Sequence, residues 1–306
     1  MDGILIIDKP AGITSHDVVS RLRRILRTKR VGHTGTLDPF ATGVMVVLVG
    51  QATRLAQYLD KDVKEYEADV AFGFETDTGD VTGQMQKADC SMPYAEVGEV
   101  LGKTDWDEIF AKFRGRIEQT PPMYSAKKVD GKKLYEHARK GEVIERKPIT
   151  VTIHRSEIIE DSESRTPKTA IDTIRILVAC SAGTYIRTLA QDIGRKVGIG
   201  AHLAELRRTA AGKFTIGQSL TLDQLAALDE PASALRPMQD AVSHLSTFEL
   251  TEDRVAKTRN GLSTRVFETA FADGESVQML DSDGKLVAVG SFDAAEKTIL
   301  PKVVLV

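Results

Sequence analysis

The stretch Arg30-Val-Gly-His33-Thr-Gly-Thr-Leu-Asp38-Pro-Phe-Ala-Thr-Gly43 has less conformational choice than any other part of this chain. Gly32, Gly35 and Gly43 permit backbone conformations that other residues avoid, and Pro39 removes a backbone donor and holds the residue before it extended. A long helix through this stretch is therefore excluded, and Asp38 is left as its one acidic side chain. Asp-Pro also opens helices, with the acid as N-cap and proline at the first helical position, and that reading competes with one in which the carboxylate does chemistry. Directly upstream lie Arg21, Arg23, Arg24, Arg27, Lys29 and Arg30, with no acid between residues 18 and 37. A lone carboxylate beside a cationic stripe suits a site that handles phosphates; an ordinary solvated helix face is the alternative.

Net charge alone argues against a uniformly basic nucleic-acid binder, since it is −3. Its distribution does not. A second basic region, residues 113–149, carries ten basic residues against five acidic, so the rest of the chain is strongly acidic. Two cationic surfaces on a net-acidic molecule fit a selective polyanion partner. The 306 residues, 42% of them hydrophobic, allow a large core and about two domains. Cys90 and Cys180 lie far apart, implying neither a disulfide framework nor a zinc site, and the six histidines show no metal-binding spacing. The start lacks the basic region of a signal peptide, and Val44–Val49 is too short to span a membrane, so a soluble cytoplasmic protein is expected. Gly98-Glu-Val-Leu-Gly102-Lys-Thr104 has three residues between its glycines where a P-loop needs four, so no nucleotide cofactor is expected from it.

Hydrophobic periodicity predicts strands over Gly3–Ile7, Val44–Val49, Lys64–Phe74, Ile149–Ile159 and Ala170–Cys180. In the third, Tyr66, Ala68, Val70 and Phe72 alternate with Glu65, Glu67 and Asp69. Helices are expected after a Thr14-Ser-His-Asp17 capping box, with Val18, Leu22, Ile25 and Leu26 as the apolar stripe, and at Gln51–Leu59, Tyr94–Leu101, Asp105–Phe113, Thr184–Lys196 and about Lys132–Lys140. Asp161–Lys168 reads as a mobile polar loop. This irregular mixture predicts an α+β fold around a mostly antiparallel sheet flanked by helices. From Phe248 the chain is expected to begin with a short helix and continue as short β-rich runs, with turns at Ala272-Asp-Gly274 and Asp281-Ser-Asp-Gly284.

Gly32-His33-Thr-Gly-Thr-Leu-Asp38-Pro-Phe-Ala-Thr-Gly43 resembles the catalytic motif of the bacterial TruB family of tRNA pseudouridine synthases. Four further stretches are similar to that family in the same order: Asp8-Lys9-Pro10-Ala-Gly12, Lys64-Glu-Tyr66-Glu-Ala68, Cys180-Ser-Ala-Gly-Thr-Tyr185-Ile-Arg187-Thr-Leu, and Gly200-Ala-His202-Leu-Ala-Glu-Leu206-Arg-Arg-Thr209. The resemblance implies a pseudouridine synthase fold over residues 1–245, a thumb insertion at about 115–149, and a PUA-like RNA-binding domain at 246–306. It implies a cofactor-free, metal-free isomerase that flips uridine 55 out of the tRNA T-stem-loop and converts it to pseudouridine. It also implies a stand-alone monomer without guide RNA, because relatives that use one carry a long extension before the Asp-Lys-Pro motif. A T-arm-binding chaperone that refolds tRNA without chemistry is the alternative function.

By the same resemblance Asp38 is the nucleophile, attacking the sugar or uracil C6 or assisting a glycal intermediate, and Arg187 is the cation that keeps it ionised. Tyr66 would stack on the extruded base and transfer a proton, with Tyr185 and Leu206 as further walls. His33 would occupy the space the nucleotide vacates, Lys9 would support the loop and touch RNA, and Lys132 and Lys133 would contact phosphates from the thumb. Taken singly, Arg187 is also a common helix-face arginine, and Tyr66, Leu206 and His33 are also ordinary structural residues. Arg207 and Arg208 are open between phosphate contacts and surface charge.

Overall fold

The computed structural model describes residues 1–59, 63–86, 94–125, 144–159, 173–267 and 271–305, together with 128–129, 132–134, 137 and 142. A nine-stranded sheet organises the first part. Along its main path the strands follow the order Gly3–Lys9, Thr42–Val49, Ala201–Ala211, Lys64–Phe72, Thr173–Cys180, Ile149–Ile158 and Gly115–Gln119. Every pairing on that path is antiparallel except Thr42–Val49 with Ala201–Ala211. Val31–Thr34 pairs with Thr42–Val49, so the strand that ends in His33 and Thr34 folds back through the Asp38 loop.

The expected alternation holds on one face of Lys64–Phe72. Tyr66, Ala68, Val70 and Phe72 are buried with Leu189, Ala190 and Ile193 of the helix Ile186–Val197. On the other face Asp69 is buried as well, because Arg175 grips its carboxylate at 2.6 and 2.8 Å from the neighbouring strand. The first helix, Ser15–Ile25, opens at the Thr14 capping box. It buries Val18 and Leu22, with Leu26 behind them, and leaves Arg21, Arg23, Arg24 and Arg27 exposed.

Several elements depart from expectation. Gly50–Leu55 is a 3₁₀ turn and only Ala56–Leu59 is α-helical, because Gly50 takes a left-handed φ of 62° against the backbone of Met1. Gly98 and Gly102 lie inside the helix Tyr94–Lys103, which rules out a phosphate-cradling loop there. Lys132–Lys133 pairs with Lys128–Val129 as a short hairpin, so the backbone is helical only from Leu134. The side chains of Lys132 and Lys133, Cys90, part of the thumb and the Asp161–Lys168 loop lie outside the described residues.

The C-terminal part starts with an unexpected strand ahead of the expected short helix. Ser246–Glu249 pairs in parallel with Ser276–Leu280, and the helix Glu252–Arg259 follows after Thr251. Its five strands run in the order Ser246–Glu249, Ser276–Leu280, Leu286–Asp293, Thr298–Val304, Thr264–Arg265, with left-handed Gly274 and Gly284 in the two expected turns. Leu280, Leu286, Val289, Val303 and Leu305 share a core with Ile4, Val46 and Leu48, so this sheet is packed onto the first one. Among the described residues no helix is long and apolar enough to cross a membrane.

Candidate active site

The loop between Thr34 and Thr42 is built from backbone strain and buried ties. Gly43 takes φ 103°, and a β-carbon there would stand 2.2 Å from the Arg208 carbonyl oxygen, so only glycine lets the two strands approach. Lys9 is completely buried, and its ammonium donates to the carbonyls of Pro10 at 2.9 Å, Pro39 at 3.2 Å and Ala41 at 2.7 Å. The Gly12 amide donates to Pro39 at 2.8 Å, and the Ser15 hydroxyl both accepts from and donates to the Leu37 backbone. No helix begins at Asp38; the chain continues into Thr42–Val49, which removes the N-cap reading. The expected contact of Lys9 with RNA finds no exposed atom, and its observed work is to hold this loop.

Burial lowers the Lys9 pKa from 10.5 to about 8, with Asp38 opposing that fall. Between those two values the unfolded chain binds more protons, so the folded state gains stability as pH rises through the window. Lys9→Met should cost about 2–4 kcal/mol at neutral pH by stranding carbonyls. It should also lose the gain at alkaline pH; urea unfolding at two pH values reads both, and equal pH responses in parent and variant would refute the assignment.

Arg187, the second residue of the helix Ile186–Val197, meets Asp38 from across the sheet. Its Nε donates to Asp38 Oδ2 at 2.9 Å and its Nη2 to Oδ1 at 3.2 Å, a two-point grip. The guanidinium is itself fixed: Nη1 donates to the Thr78 carbonyl and Nη2 to the Tyr124 carbonyl, both at 2.7 Å. Asp80 stands 3.8 Å from Nη1, its own carboxylate held by the hydroxyls of Thr78 at 2.9 Å and Thr82 at 2.5 Å. Burial pushes the Asp38 carboxyl above the usual carboxylate range; Arg187 pulls it back and Asp80 adds to the rise. The side chain nonetheless stays 34% exposed, because cavities open on both sides of it.

One cavity, of about 350 Å³, is lined by Asp38, Tyr66, Tyr185, Leu206 and Arg208. The other, a wider groove of about 810 Å³, runs past His16, His33, Phe40 and Tyr124. Asp38 and Arg187 line both. Tyr66 and Leu206 are buried in the wall of the first, and burial raises the Tyr66 phenol's pKa while Arg208 opposes it. The Tyr185 amide donates to Gln119 Oε1 at 3.0 Å, which ties the helix start to the edge strand Gly115–Gln119. Burial also pushes the nearby Cys180 thiol up to about 11, so it stays protonated at neutral pH.

Asp38, Tyr66, Tyr185, Arg187 and Leu206 are thus brought together, and His33 lies on the groove side. Arg207 and Arg208, open in the sequence between phosphate contact and surface charge, are both tied to protein groups. Arg207 pairs with Asp8 at 2.8 Å, and Arg208 is 1% exposed, donating to the Val44 carbonyl at 2.6 Å and the Gly35 carbonyl at 3.2 Å. Sequence reasoning also missed Lys64, Thr78, Asp80 and Tyr124. The available signals were Lys64 at the head of the Lys64-Glu-Tyr66 motif and Asp80 at the end of the polar turn Thr76-Asp-Thr-Gly-Asp80.

Asp80→Asn should move the acid limb of activity to lower pH, since Asp80 raises the Asp38 carboxyl, and should slow the reaction by loosening Arg187. Single-turnover rates against pH test this. An acid limb in the same place in both proteins would show that Asp80 does not act on Asp38.

The site is a carboxylate held at the mouth of a pocket of about 350 Å³ and faced by a buried tyrosine, the geometry of an enzyme active site. The chain belongs to the TruB family of pseudouridylate synthases: residues 23–186 match the TruB family pseudouridylate synthase N-terminal domain, and 187–243 the tRNA pseudouridylate synthase B C-terminal domain. It is 38% identical over 294 residues to a tRNA pseudouridine synthase B of Bacillus pumilus, covering 94% of this chain and 92% of the relative. It is 41% identical over 290 residues to that of Heliobacterium modesticaldum, covering 95% and 90%. Among solved structures, an H/ACA RNP bound to a substrate RNA containing 2′-deoxyuridine is similar at TM-score 0.71 and 25% identity, over 99% of this chain and 85% of the other. A Cbf5-Nop10-Gar1 complex is similar at TM-score 0.70 and 27% identity, over 98% and 83%.

Proposed function

We propose that the chain converts uridine 55 in the T-loop of tRNA to pseudouridine, acting alone as a cytoplasmic monomer without guide RNA. The observation that carries this reading is the two-point grip of Arg187 on Asp38 between a base-sized pocket and an open groove. The substrate itself is suggested by the relatives, which are named tRNA pseudouridine synthase B.

In this reading the uridine leaves its helix and its ring enters the pocket between Tyr66, Tyr185 and Leu206. His33, on the groove side, fills the vacated place. Asp38 attacks either the sugar carbon or uracil C6, or assists formation of a glycal; each route needs it ionised, and Arg187 favours that form against burial. The base detaches at N1, turns, and bonds to the sugar through C5. Its C5 hydrogen is then lost, with Tyr66 placed to take it. The proposed division assigns residues 1–245 to this chemistry and 246–306 to a PUA-like RNA-binding domain.

Because pseudouridine formation removes the hydrogen at C5, a T-arm transcript tritiated at uridine C5 should release label to water with the parent protein and no methyl donor. No release from an RNA that the protein binds would overturn the reading.

The cationic stripe favours an added capacity to bind and refold the T-arm. Arg21, Arg23, Arg24, Arg27, Lys29 and Arg30 are all exposed, and among the described residues none forms an ion pair. Replacing Arg24 and Arg27 with Gln should weaken binding of all tRNAs alike. The log–log salt slope should become shallower by roughly one to two units if both residues meet phosphates. An unchanged affinity and slope would return the stripe to a solvated face.

A further inference from the structure

The pocket that would receive a neutral uracil ring is lined by more positive than negative charge. Lys64, Arg187 and Arg208 stand against Asp38. Arg187 is answered by Asp38 and Asp80. Arg208 is not: it is 1% exposed and, among the described residues, forms no ion pair, its guanidinium donating to the Val44 and Gly35 carbonyls. A buried cation without a counter-charge is costly, so its retention at a pocket wall points to negative charge that forms there during reaction.

The sheet register says where. Arg208 and Tyr66 are directly opposed across the antiparallel pairing of Ala201–Ala211 with Lys64–Phe72, and both line the pocket. Opposed residues on one sheet face have neighbouring side chains. The carbonyls of Val44 and Gly35 hold the guanidinium while leaving donors available. We propose that Arg208 is a positioning residue for the proton-transfer step, acting through Tyr66 by holding a positive charge against the phenol oxygen so that it can serve as a base. This rests on the reading of Tyr66 given above.

The step balances as follows. Once uracil C5 is bonded to the sugar, C5 is tetrahedral, carries one hydrogen, and the ring holds an N1=C6 bond. The Tyr66 oxygenate takes the C5 proton. The C–H electron pair becomes the C5=C6 bond, the N1=C6 pair moves onto N1, and N1 gains a proton from water. The phenol then returns its proton to water. Nothing is oxidised or reduced.

The groups facing the Tyr66 hydroxyl come from several elements. Arg208 and Cys180 lie on the two flanking strands, Asp38 on the loop, Lys64 on its own strand, and Tyr185 and Arg187 at the helix start. Burial raises the phenol's pKa, Cys180 and Asp38 add to the rise, and Arg208 lowers it through both charge and hydrogen bonding. Without Arg208 the oxygenate would be rarer at neutral pH.

The test uses the full chain and T-arm RNA carrying hydrogen or deuterium at C5 of the target uridine, in single turnover across pH. Arg208→Gln should slow the reaction by about a hundredfold. It should also enlarge the C5 isotope effect beyond the parent's and push the pH at which the rate levels off to a higher value. Arg208→Lys, which keeps the charge, should show smaller changes in the same directions, and it supplies the measurement if the Gln variant no longer binds RNA. A slower variant with the parent's isotope effect and pH profile would overturn the proposal, leaving Arg208 as a brace for Gly35 and Val44. Tyr66→Phe separates the two layers: if it turns over with the parent's isotope effect, the reading of Tyr66 fails regardless of Arg208.

Discussion

Asp38→Asn should retain tRNA binding and lose turnover by about 10⁴-fold or more, the scale on which removing a covalent nucleophile is felt. The substitution is close to isosteric, so the loop should not move: it is pinned by the Lys9 ammonium, the Gly12 amide and the Ser15 hydroxyl, none of which touches the Asp38 carboxylate. What disappears is the negative charge facing the pocket. Binding measured by filter retention and turnover measured with saturating enzyme separate the two effects. A variant within tenfold of the parent would remove Asp38 from the mechanism. If the same variant still speeds tRNA refolding, chaperone activity and isomerisation are distinct properties of one surface.

Arg187→Lys should slow turnover by about a hundredfold or more with little change in tRNA affinity. Lysine preserves the charge, yet it cannot make the two parallel contacts to Asp38 while also donating to the carbonyls of Thr78 and Tyr124. Two acceptors would be stranded in a buried place, and the carboxylate could rotate. The acid limb of activity should also move to higher pH, because Arg187 is what opposes the upward push of burial on the Asp38 carboxyl. A lysine variant with the parent's rate and pH profile would mean that charge alone suffices.

Much of this site was legible in the chain because its logic is local. The Thr14 capping box, the glycines that let Asp38 turn, and the alternation that sends Tyr66 inward all depend on neighbours within a few residues. The pairing of Asp38 with Arg187 spans 149 residues and came only from resemblance to a family. Lys9 was expected to support the loop and touch RNA, and Arg208 was open between phosphate contact and surface charge; only the assembled sheet shows that backbone carbonyls hold both away from solvent. Asp80 was hidden for a similar reason, since its hydroxyl partners are adjacent in sequence while the arginine it steadies is not. The short helix expected at the start of the C-terminal part is present as Glu252–Arg259, but a strand at Ser246–Glu249 precedes it, and no local pattern reports that strand's pairing with Ser276–Leu280.

Incubating unmodified tRNA with the purified protein and mapping pseudouridine base by base tests the central claim most directly. One new pseudouridine, at position 55 of the T-loop and absent with Asp38→Asn, is the expected result. No pseudouridine, or the same pattern with both proteins, would contradict it.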